Sequence, residues 1–165
     1  VDGTVTINGS VSNTTCTVTV NGGSSNGTVT LPTVGVTSLN SSVGQVAGGT
    51  SFSIGISGCT TSQTSMAPYF EASGSSAFNA QGRFTTSVSG VDIEILNSAG
   101  NAVNLGGSST VSGGLTGQNV PTVAITGSNP SKTALSTFTA RYRSTSTTVG
   151  NGAITVNLAY TIIYQ

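Results

Sequence analysis

Histidine and tryptophan are absent from this chain of 165 residues, and charged side chains make up only 5% of it. Without His there is no Ser-His-Asp triad, no Cys-His nucleophile and no imidazole for a zinc site. Acid–base work would fall to a pair of carboxylates. The nearest such pair is Asp92 and Glu94, two apart on a strand-like run. They share one face, and that face reads as solvated, with both carboxylates pointing outward. The expectation is a protein without enzymatic activity, catalytic residues, cofactor or metal. Its only cations are Arg83, Lys132, Arg141 and Arg143. They form no basic stripe of the kind that nucleic acid or an anionic membrane surface requires.

Other absences narrow the fold. One Lys, one Met and two Glu leave few helix formers, and no apolar stripe repeats every 3.6 residues, so almost no helix is expected. No run has the length of a membrane-spanning helix, which argues against direct membrane insertion. The opening V-D-G-T does not read as a secretory leader, and none is expected within these residues. The formal net charge is zero, a balance that favours self-association over mutual repulsion. Short apolar runs are separated by Gly, Asn, Ser and Thr along the whole length. That texture is all-β with many turns, and 165 residues suffice for one domain with its own core.

The most regular stretch is the last. Ile154, Val156, Leu158, Tyr160, Ile162 and Tyr164 alternate with residues that are mostly small or polar. Strict period-two alternation marks a strand with one buried face, and here it is read as opening at Gly152. A second alternating run lies at the other end, where Val5, Ile7, Gly9 and Val11 share a face opposite Thr4, Thr6, Asn8 and Ser10. Between them, strand-like text falls at 17–20, 28–36, 51–58, near Tyr69 and Phe70, at 84–88, 91–96, 102–105, 120–126 and 138–142. Residues 39–50 read as a Gly/Ser-rich connection. Turn signals at this spacing suggest a sandwich.

Cys16 and Cys59 sit in no C-x-x-C pair. Free thiols in a reducing compartment are one reading. A disulfide is the other, favoured because both cysteines end strand-like runs in a composition of extracellular type. Closing that loop would add about 4 kcal/mol in the chain-entropy account and would imply an oxidising compartment. L-P-T-V-G at 31–35 and S-K-T at 131–133 lack the partners that would make them motifs.

Four features together resemble the subunits of chaperone–usher pili, of the type 1 fimbrial major-subunit kind. They are the leading run G-T-V-T-I-N-G-S-V before the first cysteine, the spaced pair Cys16 and Cys59 with F-S-I-G-I-S-G-C at the second, F-T-A-R-Y-R before the last turn, and the tail. In the tail, Gly152 is fourteenth from the end and Tyr164 is penultimate. The resemblance covers essentially the whole chain. It implies an immunoglobulin-like β-sandwich lacking its last strand and completed in trans. Residues 1–11 would be a donor-strand extension and 12–165 the pilin domain. Val5, Ile7, Gly9 and Val11 would be donor residues, and Ile154, Val156, Leu158, Tyr160, Ile162 and Tyr164 a wall of the acceptor groove. It further implies a periplasmic chaperone, an outer-membrane usher and neighbouring pilins as partners, in an extracellular fimbria that supports adhesion and biofilm. The competing expectation is a self-contained β-sandwich that binds carbohydrate, with its leading strand paired inside its own chain.

Overall fold

The computed structural model describes residues 3–110 and 114–165; the expected extension 1–11 thus includes two residues, 1 and 2, outside the described ones. In chain order the strands are β1 (Thr15–Val20), β2 (Val46–Thr60), β3 (Ser65–Glu71), β4 (Phe84–Thr85), β5 (Val91–Leu96), β6 (Gly114–Leu115), β7 (Val120–Pro121), β8 (Val123–Ala124), β9 (Lys132–Ser144) and β10 (Ala159–Tyr164). The one helical element among the described residues is a 3-10 turn at Val36–Ser38. One sheet runs β1-β2-β9-β5-β4 and a second runs β10-β3-β8, while β6 and β7 pair apart from both. All pairings are antiparallel. Two antiparallel sheets closed over a shared core make an immunoglobulin-like sandwich.

The core is built by alternation. Phe52 and Ile54 on β2, Ile93 and Ile95 on β5, and Phe138 and Ala140 on β9 all turn inward and are buried. Phe52 stands opposite Phe138, with ring centroids 5.4 Å apart. Phe70 of β3 meets Phe138 edge-on at 5.2 Å, so one aromatic trio ties the two sheets together. On the second sheet Tyr160, Ile162 and Tyr164 stand opposite Phe70, Pro68 and Met66. Gln118 is fully buried and acts as a piece of strand. Its side-chain oxygen accepts from the Phe70 N–H at 2.9 Å, and its amide nitrogen donates to the Phe70 carbonyl at 2.7 Å and the Leu105 carbonyl at 3.3 Å. The edge of β3 is thereby satisfied where no strand covers it.

β2 is longer than its sequence suggests. It begins at Val46, inside the stretch read as a connection, because the pairing with β9 slips between Ala47 and Thr50. Gly48 sits at φ 69° there, and Gly58 at φ 57° marks a second slip between Ile56 and Cys59. Glycine bulges bend the strand without ending it. At its far end Cys16 and Cys59 form a disulfide across a sequence separation of 43, which selects between the two thiol readings.

Asp92 and Glu94 depart from expectation. They do point away from the core, but they are not solvated: only 5% and 4% of their surfaces are exposed. Register sets Glu94 opposite Arg141 and Asp92 opposite Arg143. Arg141 Nε lies 2.7 Å from one Glu94 oxygen and Arg143 Nη1 3.5 Å from the other. Arg83 Nε and Asn79 Nδ2 both donate to Asp92, at 3.0 and 2.7 Å. Three of the chain's four cations thus lie over this face, and their stems exclude the water that the bare strand pattern promised.

Two stability effects follow. Replacing both Cys16 and Cys59 with Ser lowers unfolding free energy by about 2–4 kcal/mol, read as a shifted denaturant midpoint. Arg141→Met leaves the Glu94 carboxylate short of its nearest partner and costs about 3 kcal/mol in the same measurement.

Candidate functional site

The two sheets fail to close along one side. Beyond Val20 the chain turns and bends through residues 21–26 and runs on as an unpaired segment from Gly27 to Pro32, outside any sheet. Across from it stands the run leading into β10. Between the two lies a groove of about 750 Å³. One wall carries Val29 and Leu31, and the other Ile154, Val156, Leu158 and Tyr160. The floor is Phe52, Ile54, Phe84, Ile93, Ile95 and Ala140, buried residues of the first sheet, with Tyr142 beside them.

Both walls present unused backbone. Among the described residues, 27–31 make no backbone hydrogen bond, and neither do Ile154, Val156 and Leu158. The odd-numbered neighbours face the other way: Asn157 exchanges bonds with Ser76 through its N–H and carbonyl, and Ala159 N–H donates to Ser75 Oγ. The expected strand from Gly152 is therefore shorter as a paired element, Ala159–Tyr164, because 153–158 have no ladder partner. Alternation survives in the burial all the same, with 154, 156 and 158 half-covered and 153, 155 and 157 exposed.

The other sequence-derived residues fall in two places. Ile162 and Tyr164 lie past the groove's lining and pack into the core, Tyr164 against the cluster of Ile56, Cys59, Met66 and Ile125. Burial pushes the Tyr160 and Tyr164 hydroxyls above the ordinary phenol value. Val5, Ile7 and Val11 are 90%, 90% and 102% exposed, and nothing lies within 4 Å of the position a Gly9 Cβ would take. Residues 3–13 are exposed throughout, and none belongs to a strand. The first anchor is Thr14, whose hydroxyl meets the Thr61 hydroxyl at 2.8 Å.

Register separates these two features. β1 sets Thr15 opposite Thr60 and Val20 opposite Ile54. The leading segment thus departs at the Thr60 end of β2, whereas the groove opens beyond Val20, over Phe52 and Ile54. The sequence reads 28–36 as strand-like, with Val29 and Leu31 alternating with Thr28 and Thr30, but carries no sign that this run is a groove wall.

The sandwich thus has an open apolar flank and an exposed leading segment with apolar residues at alternate positions. A family model described as fimbrial protein matches residues 5–165. The chain belongs to the fimbrial protein family, and it is a structural subunit of a surface pilus that associates with other subunits. Among solved structures it is similar to the P pilus rod subunit PapA, with TM-score 0.57 and 16% identity over 99% of this chain and 100% of that one. It is also similar to the Burkholderia pseudomallei antigen and type I fimbria protein BPSL1626, with TM-score 0.55 and 19% identity over 92% and 95% of the two chains. At these identities the likeness concerns the fold. No curated protein matches the sequence.

An exposed apolar groove has a simple signature. A dye that fluoresces in apolar surroundings brightens on the separated subunit, and Leu158→Asp removes most of that signal while the circular dichroism of the fold is retained.

Proposed function

We propose that this subunit polymerises by donor-strand exchange, with Val5, Ile7, Gly9 and Val11 of one copy laid into the groove of the next. The observation that carries this reading is the pair of facing backbone edges, 27–31 and 154–158, left unbonded above an apolar floor. A strand placed between them gains a ladder on each side while its alternate side chains enter the groove. The lengths are compatible: the unbonded edges 27–31 and 154–158 each span five residues, within the seven of positions 5–11. Val5, Ile7 and Val11 contribute about 1.5–3 kcal/mol apiece on burial, and each net hydrogen bond about 0.5–1.5 kcal/mol. Ile162 and Tyr164 act behind the acceptor wall by fixing β10 to the core. Gly9 meets its part of the groove with backbone alone.

The donor leaves one end of β2 and the groove opens toward the other, so the contact is heterologous and builds an open filament. Before assembly the groove needs another occupant, for an unfilled apolar edge aggregates. A periplasmic chaperone strand fills that place, and an outer-membrane usher hands the subunit to the growing fibre. The disulfide accords with this route, since the periplasm is oxidising. The fibre serves adhesion and biofilm by mechanical extension, without enzymatic activity. A self-contained carbohydrate-binding sandwich is disfavoured, because it needs residues 3–11 paired within their own chain and they are exposed.

Removal of residues 1–11 yields a subunit that binds a synthetic peptide of residues 3–14 but forms no fibres by electron microscopy. Ile7→Asp in the full chain has the same effect on fibres, since an unpaired carboxylate enters an apolar site. Fibres of ordinary length from either variant would refute the reading.

A further inference from the structure

The groove wall at 25–32 is held to the core by the side chains of Val29 and Leu31, but by little of its own backbone. Its middle, 27–31, has no backbone hydrogen bond among the described residues. Two tyrosine hydroxyls grip its ends instead. Tyr160 reaches from the opposite wall and donates to the Ser25 carbonyl at 2.7 Å, so that one side chain crosses the groove. Tyr142 rises from β9 and donates to the Pro32 carbonyl at 3.1 Å. Both bonds are long-range, joining residues 135 and 110 apart, and neither arises from local chain geometry. The Tyr142 ring is aimed by the bulge in β2: it lies against Gly48, where a Cβ would stand 2.8 Å from ring carbons.

A strand inserted between two walls needs them two interstrand spacings apart, about 9.5 Å. One tyrosine side chain with its hydrogen bond bridges a gap of that order. Val29 and Leu31 already touch the floor; without a ladder on either side, a wall so attached would otherwise tilt across the groove or swing away from it. Either state has to be undone before a strand enters, and the observed association slows by the fraction of subunits that are open.

We propose that Tyr160 and Tyr142 are spacers that hold the 25–32 wall at the distance an incoming strand requires. They are positioning residues for strand acceptance and act through the wall. The proposal rests on the donor-strand reading above and adds to it which side chains set the rate of acceptance.

The test uses the full chain at nanomolar concentration, where self-association is slow, and a fluorescent peptide of residues 3–14. Tyr160→Phe and Tyr142→Phe keep the rings and remove only the hydroxyls. Each single variant is expected to slow peptide association about threefold, and the double variant about tenfold, the size of one and two lost exposed hydrogen bonds. Dissociation is expected to stay at the wild-type rate, which separates pre-organisation from a general loss of stability. If wild type binds the peptide and the variants associate equally fast or faster, or change only in dissociation, the spacer role is overturned and donor-strand exchange stands. If wild type fails to bind the peptide, the donor-strand reading falls and the spacer role falls with it.

Discussion

Everything in this subunit is arranged around a backbone that is not fully hydrogen-bonded. A buried or half-buried peptide group left unpaired costs about as much as a lost hydrogen bond, so folded chains seldom tolerate a row of them. Here two unbonded rows face each other, one from 27–31, where Val29 and Leu31 are half-buried, and one from the even positions of 154–158, above the side chains of Phe52, Ile54, Ile93 and Ile95. Elsewhere the fold satisfies such groups with unusual means. Gln118 lends its side-chain amide to β3, and Ser75 and Ser76 bond to the odd positions of the tail. The side of the tail that faces the groove receives no such treatment. The contrast between a carefully closed inner edge and an open outer one makes the groove a feature of the design rather than a flaw in packing.

The scarcity of charge belongs to the same design. A surface rich in Lys and Glu would hold subunits apart, whereas this one is covered mostly by Ser, Thr and Asn. The few charges are placed where they tie strands together. Asp92 and Glu94 of β5 meet arginines of β9 and of the loop before β4, on the outer face of the same strands whose inner face floors the groove. β5 is thereby held flat from behind by ion pairs while Ile93 and Ile95 remain available in front.

Much of this could be read from the residues. Strict alternation from Ile154 to Tyr164 and from Val5 to Val11 carried the architecture, because large apolar side chains at every second position have no other economical use. The fimbrial resemblance rested on those two runs, the pair of cysteines and F-T-A-R-Y-R together, and the family match bears it out. What stayed hidden depends on residues distant in sequence. Whether Glu94 is solvated is decided by Arg141 and Arg143, which register with β9 brings alongside, and whether Asp92 is solvated by Arg83 and Asn79. The start of β2 was masked by Gly48 and Gly49, read as loop because bulges and loops use the same residue. Val29 and Leu31 looked like part of an ordinary strand; that they form a wall depends on the absence of any strand beside them. Gln118 carried no signal at all, since nothing local distinguishes a buried glutamine from the many polar residues around it.

If copies are joined through the leading segment as proposed, the place of the disulfide decides how tension enters the domain. Thr14 is the first residue of that leader to touch the domain, and Cys16 follows two positions later. Load entering there is passed by a covalent bond to Cys59 and into β2, which pairs with both β1 and β9. Without that bond, tension would unzip β1 from its margin one hydrogen bond at a time. With it, the force is spread across the central strands of the sheet, which must slide past one another together before the subunit yields.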